Sequence, residues 1–267
     1  GRPLRKFAFG SWLRPALGGL VVIGAAPGLD PARLQVEIEA ANLVRWLTAL
    51  PPNRLTAVAY RALVESLVEH HDWSARFLDS TALKSLGAGA FLAVAQGNAG
   101  KSAGGAGIMH VSYRPTRKAH PDIALVGKGI IFDTGGTNLK PFKSMLDMHQ
   151  DMNGSAVALG VLLAITRLKL PIAVDCWLAI TENRLSPDAY KSRDVVTAAN
   201  GTIIEVIHND AEGRMVLADA LALASRRKLM RYYRSCLQRQ LHANGPDKTI
   251  LSKATQSSGA VESLLDA

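Results

Sequence analysis

Cysteine is nearly absent from this sequence: Cys176 and Cys236 are the only two in 267 residues, and neither belongs to a CxxC pair. That excludes a disulfide scaffold and a thiolate zinc ribbon, and it fits a reducing, cytosolic setting. No HExxH motif occurs either, so conventional zinc-protease ligation is excluded. Every apolar run stops well short of the roughly 18 residues that a membrane-crossing helix requires. There is no internal repeat.

Hydrophobic residues at 48% and charged residues at 20% describe a globular chain able to bury a core. The formal charge of +9 suggests a nucleic-acid partner until it is located along the chain. Residues 1–14 carry four basic groups (Arg2, Arg5, Lys6, Arg14) and no acid, and from Ser225 onward eight basic residues meet three acids. These ends account for the whole excess and read as solvated tails, so no nucleic-acid partner is expected. The run from Ala16 to Ala26, behind Arg5-Lys6, superficially resembles a signal peptide. Pro27-Gly28 and Asp30-Pro31 read better as a turn and a helix start, which leaves Leu20–Ile23 as a buried strand.

From Asp30 to Leu50 the positions Leu34, Ile38, Ala41, Val44, Leu47 and Leu50 recur at helical steps, stopped by Pro51-Pro52. A second helix is expected over Ala57–His71, a short strand over Ala75–Asp79, and a short helix over Thr81–Leu86 capped by Gly87. Ile123–Asp133 and Ile172–Ile180 are apolar runs of the kind a strand covered on both faces requires. Between them lies the Ala/Leu/Val-rich helix Ser155–Leu168. Asn200-Gly201 signals a hairpin joining Val195–Thr197 to Thr202–Ile207, and a last helix runs from Gly213 through Leu223. Strand, helix and strand in this order predict an α/β fold with a mixed, mostly parallel sheet and helices on both faces.

Ligands bind at strand ends in such sheets, so the polar groups there carry the chemistry. Lys128 and Asp133 lie five apart on one strand, Asp133-Thr-Gly-Gly136 turns tightly, and Lys140 follows. Asp151 stands at a helix entry, and Asp210-Ala-Glu-Gly-Arg214 lies between a strand and a helix. Four carboxylates gathered together repel unless cations neutralise them, and a formal charge of −4 matches two divalent ions. Oxygen-rich ligation suits Mn²⁺, Mg²⁺ or Zn²⁺. A lysine joins such a shell only as the neutral amine, and Lys128, between two glycines, is placed for that. Taken singly, each of these residues reads as a solvated turn; only their joint register points to a metal centre.

The stretches Val126–Gly136, Asp151–Ala156 and Asn209–Asp219 resemble the leucyl (cytosol) aminopeptidase family in sequence and mutual spacing. Asp194–Thr197, Asn200-Gly201 and Leu50–Thr56 are similar to further landmarks of that family. The resemblance implies a three-layer aminopeptidase/phosphorylase-like sandwich, incomplete here. It divides the chain into residues 1–29 (a remnant of an N-terminal domain or a linker), 30–225 (catalytic domain) and 226–267 (a basic divergent tail), with the family pattern truncated at the C-terminus. It further implies that Lys128, Asp133, Asp151, Asp210 and Glu212 bind two ions, Mn²⁺ or Zn²⁺. In the same way Lys140 polarises the scissile carbonyl, and Arg214 holds a bicarbonate that acts as general base. The implied function is removal of the N-terminal residue from peptides by a metal-activated water, in a cytoplasmic homo-hexamer with no membrane contact. The alternative is a catalytically inactive relative that keeps the fold and binds metal or partners. His208 stands where many relatives have asparagine and Asn209 where they have threonine.

Overall fold

Asp30 starts the first helix as its position implies: its carboxylate accepts hydrogen bonds from the Ala32 and Arg33 amides, with Pro31 next. The structure, a computed structural model, describes residues 28, 30–98, 104–116 and 120–225. The strand expected at Leu20–Ile23 and the basic tail after Ser225 lie outside the described residues.

Helix α1 (Pro31–Ala49) is followed by α2 (Ala57–His71), whose first turn is capped by the Thr56 hydroxyl. Then come β1 (Ser74–Leu78), α3 (Ser80–Ser85), α4 (Gly89–Ala95) and β2 (Gly107–Tyr113). The long strand β3 (Ile123–Asp133) leads through the single turn α5 (Phe142–Met145) to α6 (Asn153–Arg167) and β4 (Val174–Asn183). The hairpin β5 (Val195–Thr197) and β6 (Ile203–Glu205) precedes α7 (Glu212–Ala224). The sequence periodicity misses α4 and β2. Helix α4 is a seven-residue Gly/Ala-rich segment, and β2 interrupts its apolar residues with His110 and Ser112.

The main sheet has the order β1-β2-β4-β3. It is mixed and carries helices on both faces, as expected. The expected predominance of parallel pairing is not found among the described residues: β3 pairs with β4 in parallel, but β1 with β2 and β2 with β4 are antiparallel. The physical reason lies in β2, whose unrecognised direction sets two of the three pairings. Antiparallel edge strands on a parallel pair are common in α/β sheets.

Each face has its own core. On one side α1, α2 and α6 bury Leu47, Tyr60, Val64, Leu159 and Leu162 against Met109, Val111, Cys176 and Leu178. On the other side α3, α4, α7 and the hairpin bury Leu83, Phe91 and Val216 against Ile108, Ile130 and Ala179. Among the described residues no helix is long and apolar enough to cross a membrane.

Two buried polar side chains, Ser155 and Asp219, fix the helices that approach the strand ends. The Ser155 hydroxyl donates to Met152 O at 2.7 Å, and Tyr60 Oη meets Ser155 Oγ at 3.0 Å, tying α2 to the start of α6. Helix α4 has no side-chain cap of its own. Instead the buried Asp219 carboxylate, on α7, accepts from Phe91 N and Ala199 N, each at 2.7 Å, which pins α7 to α4 and to the hairpin.

Candidate metal centre at the strand ends

Near the end of β3 the register against β4 shifts: Ile130 aligns with Thr181 but Asp133 aligns with Asn183. Such an irregularity re-aims side chains at a strand end, and it sets Asp133 beside the last residue of β4. The chain then reverses through Gly135 and Gly136, both at positive φ (87° and 62°), a conformation that glycine adopts without penalty. That turn returns Lys140 toward Asp133.

One oxygen from each of Asp133, Asp210 and Glu212 lies within 4.8 Å of the others. Lys128 Nζ joins Asp151 to this group, at 2.6 Å from Asp151 Oδ2 and 2.7 Å from Glu212 Oε1. Lys140 Nζ lies 3.1 Å from Asp133 Oδ2 and also pairs with Asp210. Six of the seven residues singled out by sequence therefore converge. Arg214 does not join them: it is exposed, and among the described residues it has no hydrogen bond or ion pair.

Lys128 reaches its partners past a backbone without a side chain. A Cβ on Gly213 would sit 2.7 Å from Lys128 Cε and 3.0 Å from its Nζ. The small residue after Glu212 thus opens the slot in which the lysine lies.

Electrostatics decides what this arrangement can hold. Asp133 and Glu212 are 2% and 1% exposed, so their charges have little water to screen them. Burial pushes the Glu212 carboxyl up to about 7; Lys128 opposes that shift, while Asp133 and Asp151 add to it. Asp151 is likewise raised by burial against the pull of Lys128. Burial works against charge on Lys128 and Lys140, yet their acidic partners hold both above the ordinary lysine value. Four carboxylates against two ammonium groups leave a formal deficit of two positive charges. Room for further cationic charge, an oxygen-rich donor set and one adjoining amine fit a divalent metal.

Three residues that sequence reasoning did not assign to the site form its floor. Asn183 Nδ2 donates to Asp133 Oδ1 at 2.8 Å and to Asn209 O at 3.0 Å. Tyr190 donates its hydroxyl to Asn209 O at 2.7 Å; burial, then Glu212, Asp133 and Asp210, push that phenol above its ordinary pKa. Asn209 donates its side-chain amide to Tyr190 O at 2.8 Å and accepts from Ser192 Oγ at 3.1 Å. The available signal was Thr181-Glu-Asn183, a polar step closing an apolar strand beside the one that ends in Asp133.

The fold and this centre define a three-layer α/β protein with a carboxylate-rich, cation-demanding site at its strand ends. Comparison with known sequences is then specific: the profile of the cytosol aminopeptidase family, catalytic domain, matches residues 42–233. The chain belongs to the cytosol aminopeptidase family. A probable cytosol aminopeptidase of Corynebacterium glutamicum is 40% identical over 194 residues, covering 73% of this chain and 38% of that protein. One from Solibacter usitatus is 38% identical over 218 residues, 80% of this chain and 44% of that protein. Among solved structures, the leucyl aminopeptidase of Trypanosoma cruzi superposes with a TM-score of 0.68 at 32% identity, covering 73% of this chain and 37% of that one. The cytosol aminopeptidase of Coxiella burnetii does so with a TM-score of 0.68 at 29% identity, covering 73% and 41%. The chain thus spans less than half the length of the relatives it matches.

Proposed function

We propose that this chain carries the catalytic centre of a metal-dependent aminopeptidase, which removes the N-terminal residue from peptides. The observation that carries the reading is the convergence of Asp133, Asp151, Asp210 and Glu212 on two lysines that leave their charge uncompensated. Asp133, Asp151, Asp210, Glu212 and the neutral amine of Lys128 would hold two divalent ions, Mn²⁺ or Zn²⁺. Such ions polarise a carbonyl and make water a nucleophile near neutral pH. A solved relative, leucyl aminopeptidase from Trypanosoma brucei, is described in complex with actinonin and, separately, with bestatin.

Lys140 is the residue of this chain suited to the developing oxyanion. It donates hydrogen bonds, is held cationic by Asp133 and Asp210, and has a side chain 13% exposed. A fixed cation in so dry a place stabilises charge that appears only in the transition state. Arg214, free of partners among the described residues, is available to hold a small anion such as bicarbonate as the general base. The catalytic unit is assigned to residues 30–225, working in the cytoplasm, with a homo-hexamer as the assembly that the family resemblance implies.

The test is release of leucine from leucinamide by the full chain supplied with Mn²⁺ or Zn²⁺. Turnover that disappears in Glu212→Ala is the expected result. Metal binding without turnover in the unmodified chain would instead establish the inactive, metal-binding relative.

A further inference from the structure

Asn183 closes β4 and is 1% exposed. Its amide nitrogen faces three acceptors: Asp133 Oδ1 at 2.8 Å, Asn209 O at 3.0 Å and Glu212 Oε2 at 3.4 Å. Asp133 Oδ1 also accepts from Gly135 N at 2.8 Å. The opposite oxygens face cations instead: Asp133 Oδ2 meets Lys140 and Glu212 Oε1 meets Lys128. Asp133 is therefore divided, one oxygen held by two neutral donors and the other turned toward positive charge.

The terminal torsion of a carboxylate is broad and roughly two-fold, so burial alone does not orient it. We propose that Asn183 is a positioning residue, whose amide orients Asp133 so that its other oxygen is presented to bound divalent cations. This inference rests on the two-metal reading given above. A neutral amide suits that role, since it donates two hydrogen bonds, neither competing with a cation as lysine would nor adding repulsion as aspartate would. The amide cannot be reversed, because its oxygen would then face two carboxylates. In the orientation adopted, Asn183 Oδ1 is buried without a hydrogen-bond partner.

Calorimetric titration of Mn²⁺ into the metal-stripped full chain tests this, with the thermal midpoint of the metal-free protein recorded in parallel. Asn183→Ala is expected to weaken Mn²⁺ binding by about 10–100-fold, the usual effect of removing a group that orients a ligand. Asn183→Ser, which keeps one O–H donor on a shorter stem, is expected to lose less, and it carries the comparison if the alanine variant does not fold. A lowered midpoint with Mn²⁺ affinity unchanged in the folded variants overturns the proposal and leaves Asn183 a packing residue. Failure of the unmodified chain to bind Mn²⁺ overturns the two-metal reading itself, a result distinct from an effect confined to the variants.

Discussion

The layer under α1, α2 and α6 and the centre at the strand ends are held together by opposite physics, although α6 and the sheet serve both. In the layer, Leu47, Val64, Leu159 and Leu162 are fully buried and fill space with no directional demand beyond shape. At the centre, Asp133 and Glu212 are as deeply buried, but they are charged groups whose positions depend on Lys128, Lys140 and Asn183. Burial stabilises the first region and burdens the second. A charge taken out of water costs more than one partner returns, so the acidic cluster persists only because the apolar layers force its strands and helices together. The apolar region therefore supplies stability, and the charged region spends part of it on a site that demands cations.

This contrast can be broken from either side. Leu159→Ala removes a wholly buried side chain from α6 and should cost about 2–5 kcal/mol in urea unfolding, with Mn²⁺ affinity per folded molecule preserved. If metal affinity fell as steeply, the two regions would not be separable in this way. Gly213→Ala should do the reverse. Its new methyl group displaces Lys128 from Glu212, so Mn²⁺ affinity should fall about 10-fold or more in titration. The apolar layers are left intact, so the loss of stability in the metal-free chain should reflect only the weakened Lys128–Glu212 pair.

The smallest effect concerns Asp175, a charged group remote from the metal centre. Partial burial works against its charge, but hydrogen bonds from His110, Ser112 and Arg114 hold the carboxyl down at about 2, against an ordinary value of 3.8. A carboxyl lowered in the folded state contributes stability above its unfolded pKa and loses it as pH falls through the folded one. Thermal midpoints should accordingly decline between about pH 4 and pH 2, and Asp175→Asn should flatten that part of the profile. An unaltered slope in the variant would assign the acid sensitivity to other carboxylates.

Much of the site was legible before folding because its groups sit in short, dense segments. Asp133-Thr-Gly-Gly136 and Asp210-Ala-Glu-Gly-Arg214 combine acids with glycines at the ends of apolar runs, a pattern with few other uses. The helices α1, α2, α6 and α7 were legible from their apolar pattern, α1 also from its Asp30-Pro31 start, and β3 from its length of apolar residues. Asn183 stayed hidden because the polar step Thr181-Glu-Asn183 marks only a strand end; its meaning comes from Asp133 and Glu212, which lie 50 and 29 residues away in the chain. Asp219 was silent for the same reason, since the amides it caps belong to α4 and to the segment after β5. Arg214 was legible as part of its motif, and the structure leaves its side chain exposed, without an ion pair among the described residues.

The sequence by itself determined the helices α1, α2, α6 and α7, the strands β3 and β4 and which side chains can hold charge, because period and turn residues act over a few residues. Only the tertiary structure decided the direction of β2, the convergence of Asp133, Asp210 and Glu212, and which oxygen of Asp133 faces a cation. Those outcomes depend on distances between atoms far apart in the chain, and such distances are set when two apolar layers close on one sheet.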